Sequence, residues 1–338
     1  MKRHTSIQKA LFLDHKTHLS GTHSSDFFIE ILAKYFDLTV SPYDGAWKKV
    51  VSKKFDVLFV WQYTGKPEDL LKFCIKNIVM VPMYDDCPNT VQYWKSFYFC
   101  KVFCFTKAIY SVARQAGLHS FYAQFFFEND VKNTSFSSKA FFWDRGDKVV
   151  TSEKVVKLCE QLNIKKLIVH QCRSENLQSD TVKIQKTNWF DAKNDYYDVI
   201  DTASIYFAPR KSEGIGLSFL EAMSKGKIVI AFDAPSMNEY IINGQNGFLF
   251  NESCRIANPK SLRRTFLSNI QEMSQHPLDL RWKRATPEFI AFFKTNLKVK
   301  NKNLFFQLML LFIKPRAYYI WWFIKGHFMS HCKKIGKI

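Results

Sequence analysis

The chain has no Cys-x-x-Cys pair, no uninterrupted apolar run of eighteen residues and no acidic residue after Glu288. Each lack removes a class of protein. Eight cysteines, Cys74, Cys87, Cys100, Cys104, Cys159, Cys172, Cys254 and Cys332, are scattered over 338 residues. That scatter argues against a disulfide framework or a zinc site and for reduced thiols in the cytosol. The missing apolar run predicts no transmembrane helix. The basic start, Met1 to Leu13, offers only four apolar residues before Asp14, too few for a signal peptide, and reads as a first strand. Internal repeats and low-complexity tracts are absent as well.

What is present is apolar and basic. At 47% hydrophobic residues the chain can bury two cores, and its length predicts about two domains. The net charge of +19 is uneven: positions 289–338 carry ten Lys or Arg and twelve aromatics with no Asp or Glu. Basic residues beside Tyr318, Tyr319, Trp321, Trp322 and Phe323 suit the interface of an anionic membrane. The same stretch also reads as a closing helix packed on the fold with a basic surface. No nucleic-acid-binding motif accompanies the charge, so nucleic acid is not an expected partner.

Strand and helix signals alternate, which predicts an α/β architecture with parallel sheets. Strands are expected at Lys9–Leu13, Val57–Trp61, Ile78–Met83 and Lys101–Phe105, and a Ser- and Asn-rich linker runs over Glu128–Ser138. In the second half a strand at Ala140–Trp143 is followed by a helix near Ser152–Leu162, a strand at Lys166–His170, the segment Val182–Ile184 and a helix around Asp195–Thr202. The domains are taken as 1–135, 136–288 and a tail 289–338.

The richest segment is Pro209-Arg210-Lys211-Ser212-Glu213-Gly214-Ile215-Gly216-Leu217-Ser218-Phe219-Leu220-Glu221-Ala222-Met223. It follows the strand-forming run Ser204–Ala208, so two carboxylates eight positions apart bracket a glycine turn at a strand's carboxyl end. Gly214 and Gly216 allow a phosphate to approach the amides of Ile215, Gly216 and Leu217. The helix expected from Ile215 adds the partial positive charge of its N-terminus. Glu213 then lies on the sugar side, and Glu221, about 9 Å along the axis from Ile215, at a ribose.

This segment resembles the E-x7-E signature of GT-B glycosyltransferases of family four, or group one, of the bacterial surface-polysaccharide type. The resemblance continues through Ala222–Ala231 and Asn238–Leu249. It implies two Rossmann-like domains facing a cleft, with a nucleoside diphosphate sugar as co-substrate, no separate cofactor, and a lipid-linked or polysaccharide acceptor. Transfer would retain configuration, at the inner face of the cytoplasmic membrane. By the family's pattern Glu213 contacts the transferred sugar, Glu221 the ribose, and the amides of Gly214, Ile215, Gly216 and Leu217 the diphosphate. Arg145 resembles the arginine that neutralises the diphosphate, and its lysine companion is Lys148 or Lys154. Gly21 sits in a reduced version of the glycine-rich phosphate loop.

The acceptor side departs from the family. Relatives often place a His after the fourth strand, where this chain has Val81-Pro82-Met83-Tyr84-Asp85-Asp86. Tyr84 or Asp85 either positions the acceptor or caps the next helix. The adjacent Asp85-Asp86 is not a spaced acidic pair, so a metal is not implied. His15, His18 and His23 cluster near Gly21 and are candidates for the acceptor cleft. The alternative to a transferase is a non-catalytic GT-B scaffold that binds a partner or membrane.

Overall fold

The computed structural model describes residues 7–43, 54–73, 75–190, 193–256 and 261–297. The expectations for the tail beyond Leu297, as a membrane element or as further closing helix, lie outside the described residues.

Twelve strands alternate with ten helices among the described residues. The first domain runs β1 (Lys9–Asp14), a short π-helical turn (His18–Thr22), α1 (Asp26–Ala33), β2 (Asp37–Pro42), β3 (Val57–Trp61), α2 (Pro67–Leu71), β4 (Asn77–Val81), α3 (Val91–Lys95), β5 (Lys101–Cys104), α4 (Lys107–Gln115) and β6 (His119–Tyr122). The second runs β7 (Lys139–Trp143), α5 (Ser152–Gln161), β8 (Lys166–His170), β9 (Lys183–Thr187), α6 (Lys193–Asp201), β10 (Ile205–Phe207), α7 (Leu217–Ser224), β11 (Ile228–Phe232), α8 (Met237–Tyr240), β12 (Gly247–Phe250) and α9 (Leu262–Gln275). Helix α10 (Leu280–Lys294) follows.

β3, β4, β10 and β11 are buried along their whole length, as strands must be when helices cover both faces of a parallel sheet. Thr90, Thr106 and Thr151 cap α3, α4 and α5 by accepting a backbone N–H from the first turn.

Each domain is a six-stranded parallel sheet. The orders are β2-β1-β3-β4-β5-β6 and β12-β11-β10-β7-β8-β9. The strand order reverses between β1 and β3 in one sheet and between β7 and β10 in the other. Ligands of open α/β sheets bind outside the carboxyl ends at such reversals, so topology alone marks the loops after β1, β3, β7 and β10.

The two domains are locked together at several points. Helix α10 returns to the first domain, where Phe293 packs on Phe28, Phe59 and Phe103. Its end is fixed by the buried Lys101, whose Nζ donates to the carbonyls of Phe292, Phe293 and Thr295 at 2.6, 2.9 and 2.6 Å. From the second domain, the Glu239 carboxylate accepts the Lys107 N–H at 2.7 Å and thereby caps α4. No helix among the described residues is long and apolar enough to cross a membrane.

Candidate functional site

The reversal in the second sheet is built around Asp144, which follows β7 and is 5% exposed. Its carboxylate accepts Ser152 Oγ at 2.7 Å, the Gly146 N–H at 3.0 Å and the Arg173 N–H at 3.1 Å. These bonds hold the loop that carries Arg145 and Lys148. Asp147 extends the hold to the neighbouring loop by accepting the Lys211 N–H at 3.3 Å. The loops after β7 and β10 are thus tied side by side.

The glycine turn needs both its glycines. Gly216 has φ of 82°, and a Cβ there would lie 1.9 Å from the Phe219 ring. Gly214 faces the other domain: a Cβ on it would meet Met83 Cβ at 2.6 Å and Asp85 Oδ1 at 3.0 Å. Gly214 therefore serves close approach of the domains. Helix α7 opens at Leu217 with Gly216 as N-cap, two residues later than the sequence pattern predicts, because the left-handed Gly216 delays the first helical turn. Glu221 consequently sits in the second turn, about 6 Å beyond Leu217.

Glu213 is held at the bottom of the cleft, with 15% of its side chain exposed, and its N–H donates to Ser236 Oγ at 3.0 Å. Arg210 Nη1 lies 3.7 Å from Glu213 Oε2 and 3.8 Å from Asp85 Oδ2 of the first domain. Burial pushes the Glu213 carboxyl up to about 7, against the pull of Arg210 and Arg145 and with help from Asp85. Burial raises Asp85 too, with Arg210 opposing. Arg145 stacks over the Trp143 ring at 4.3 Å, and its pKa is lowered by burial and by the neighbouring Arg210.

Glu221 occupies a separate place. Tyr197 Oη donates to Glu221 Oε1 at 2.5 Å, and Lys225, paired with Asp130 and Asp201 at 2.8 and 3.3 Å, lies over the Tyr197 ring. An aromatic wall begins under Arg145 at Trp143 and is linked to this carboxylate by Tyr196, which packs on both Trp143 and Tyr197. Trp143 packs on His170 and Trp189, and the His170 ring stacks on Phe190 at 4.7 Å. Trp189 is 65% exposed.

The structure therefore gathers Glu213, Gly214 and Arg145 around one spot and sets Glu221 further along α7. Ile215 is 5% exposed, its side chain in the core, so only its backbone can serve a ligand. Lys148 is exposed and makes no hydrogen bond or ion pair among the described residues. Lys154 is in the first turn of α5, bonded to Thr151 through its backbone. Sequence reasoning missed Arg210, the aromatic wall and Tyr197. Arg210 carried a usable signal, a cation three positions before Glu213 at a strand's end. The wall carried none, since its rings come from the ends of β7 and β8 and from the loop after β9.

On the first domain, the buried Asp14 accepts the His15 N–H at 2.6 Å, His18 Nδ1 at 2.7 Å and Ser25 Oγ at 2.5 Å. His15 Nε2 reaches Gln62 O at 3.1 Å and His23 pairs with Asp26 at 3.0 Å. Gly21 lies in the π-helical turn, and a Cβ on it would meet nothing within 4 Å. At the reversal between β1 and β3 a cavity of about 530 Å³ is lined by His15, Lys16, Tyr43, Tyr63, Asp69 and Lys72, among others. No group of three or more His, Cys, Asp or Glu among the described residues could hold a metal ion.

Residues 152–275 match the family model described as glycosyl transferases group 1. A 58-residue stretch is 41% identical to the UDP-N-acetylglucosamine–peptide N-acetylglucosaminyltransferase GtfA subunit of Limosilactobacillus reuteri subsp. suis. That stretch is 17% of this chain and spans 11% of the relative's length. Among solved structures, Anabaena HepE in complex with UDP is 14% identical, with a TM-score of 0.55 over 84% of this chain and 99% of that one. WaaG, a glycosyltransferase involved in lipopolysaccharide biosynthesis, is 13% identical, with a TM-score of 0.50 over 85% and 99%. At such identities the likeness is one of fold: two Rossmann-like domains in the GT-B arrangement, the second carrying the group 1 glycosyl transferase match.

Proposed function

We propose that the chain is a glycosyltransferase that moves a hexosyl group from a nucleoside diphosphate donor to a lipid-linked or polysaccharide acceptor in cell-surface glycan synthesis, such as that of lipopolysaccharide. One observation carries this proposal: Glu213, its pKa raised by burial, lies at the closure point of the two domains with Arg210 at 3.7 Å and Arg145 as a second cationic neighbour. Such a carboxyl can grip sugar hydroxyls while the cations and the opening of α7 meet charge developing on the leaving diphosphate. UDP is the first donor nucleotide to try, because HepE binds it in the same fold.

Each remaining part of a donor has a counterpart. Glu221 takes the ribose and the wall of Trp143, Trp189 and Phe190 offers faces for the base, since stacking is tolerant of base identity. The acceptor enters from the first domain through the cavity at the β1/β3 reversal, whose Tyr43 and Tyr63 suit a sugar's apolar faces. Retention of configuration follows if the acceptor hydroxyl attacks from the leaving group's side and passes its proton to the departing phosphate oxygen. The ten tail cations and their aromatic neighbours suit peripheral attachment to the anionic inner face of the cytoplasmic membrane.

The test is a panel of sugar nucleotides offered to the full chain without acceptor. A true donor raises the melting temperature by mass action and slowly releases its nucleoside diphosphate. Glu213→Gln loses that release yet keeps nucleoside diphosphate affinity within about tenfold. Failure of every donor to bind rejects the proposal. Binding that never leads to release or transfer favours a non-catalytic scaffold.

A further inference from the structure

Two guanidiniums and two carboxyls meet where the domains close. Burial raises the pKa of both Glu213 and Asp85, and Arg210 opposes the rise in each. Arg210 is nonetheless loosely held. Its distances of 3.7 Å to Glu213 and 3.8 Å to Asp85 exceed hydrogen-bond length, so a side chain with five donors is attracted by both carboxyls but bonded to neither. The other cations nearby are placed less well: Lys148 is exposed and has no partner among the described residues, and Lys211 lies over the Phe232 ring at 5.5 Å.

We propose that Arg210, rather than Lys148 or Lys154, is the second cation on the donor's diphosphate, working beside Arg145 on the phosphate nearest the sugar. This rests on the donor assignment above. When a diphosphate enters, Arg210 exchanges two loose ion pairs for bidentate bonds to phosphate oxygens. That exchange frees Glu213 for the sugar hydroxyls and releases Asp85 to face the acceptor, so donor entry sets up both sides of the reaction.

The measurement is calorimetry of the full chain with UDP and with UMP, which lacks the outer phosphate. Arg210→Ala should weaken UDP about 10- to 100-fold and UMP by less than about threefold. Arg210→Lys should recover part of the loss as a point charge without the planar fork. Lys148→Ala and Lys154→Ala should leave both affinities unchanged. A folded Arg210→Ala protein with wild-type UDP affinity overturns the inference, as does equal loss on UDP and UMP, which would mark a loop-holding role. So does a loss that appears in either lysine variant instead. If the wild-type chain binds neither UDP nor any other nucleoside diphosphate, the donor assignment fails and this inference with it.

Discussion

Each sheet has a buried aspartate at the carboxyl end of its first strand, and the two corners are put to different uses. Asp14 ends β1 and Asp144 follows β7; each accepts the hydroxyl of a serine at or near the start of the next helix, Ser25 in one case and Ser152 in the other. In the first domain the aspartate's remaining bonds go to His15 and His18, so the corner is closed on itself. In the second they go to backbone amides of Gly146 and Arg173, which leaves the Arg145 side chain over Trp143 with Arg210 and Glu213 as its charged neighbours. One fold element thus gives a rigid wall in one domain and a poised cation in the other. Sequence position at a strand's end does not decide which; the bonds available to the side chains do.

The strongest way to break this comparison is to remove both aspartates separately. Asp14→Ala leaves three donors without their acceptor in a buried place and should cost about 3–5 kcal/mol of stability. Asp144→Ala should cost a similar amount. Their effects on ligand should differ: below its melting temperature the Asp14 variant keeps UDP affinity, whereas the Asp144 variant loses it because the Arg145 loop is released. Urea unfolding and calorimetry read the two quantities independently. Equal loss of UDP affinity in both would erase the distinction between the corners.

A smaller effect sharpens the role of Glu213. In the unfolded chain a glutamate titrates at about pH 4.3, and in the folded protein Glu213 titrates at about 7. Between those values the folded state holds more protons than the unfolded one, so stability falls as pH rises across the window and the whole deficit stands above it. Glu213→Gln should therefore stabilise the protein by roughly 3–4 kcal/mol at pH 8 and by almost nothing at pH 4. The same change abolishes transfer. Unfolding curves at both pH values suffice, and a variant less stable than wild type at pH 8 would mean that Arg210 and Arg145 already pay for the buried charge.

The fold was legible where burial is complete. β1, β3, β4, β5, β7 and β8 are apolar runs covered on both faces, and all six stand where the sequence puts them. β2 and β6 escaped notice because they are the edges of the first sheet; Asp37–Pro42 and His119–Tyr122 are partly solvated, so neither a continuous apolar run nor a clean alternation marks them. The site divides in the same way. Glu213, the glycine turn and Glu221 lie within one short segment, and their spacing shows in the sequence. Asp85 meets Arg210 only because β4 and β10 end on opposite walls of one cleft, and nothing local to either residue announces the other.

The smallest expected effect separates the two carboxylates of that segment. Glu221 differs from Glu213 in having a neutral donor, Tyr197 Oη, already in place at 2.5 Å, while Lys225 beneath the Tyr197 ring is held by Asp130 and Asp201. The arrangement fixes one carboxylate oxygen and leaves the other to accept from a ribose hydroxyl. Glu221→Ala should cost about 1.5–3 kcal/mol in nucleoside diphosphate affinity through a lost charged hydrogen bond. Tyr197→Phe removes only the orienting bond and should cost about 0.5–1.5 kcal/mol. Because the bond orients Glu221 without touching the ligand, the double variant should lose no more than Glu221→Ala alone. Calorimetry with UDP on the three variants closes the cycle. Additive losses would mean that Tyr197 meets the nucleotide itself, and unchanged affinity in a folded Glu221→Ala protein would remove this carboxylate from the ribose.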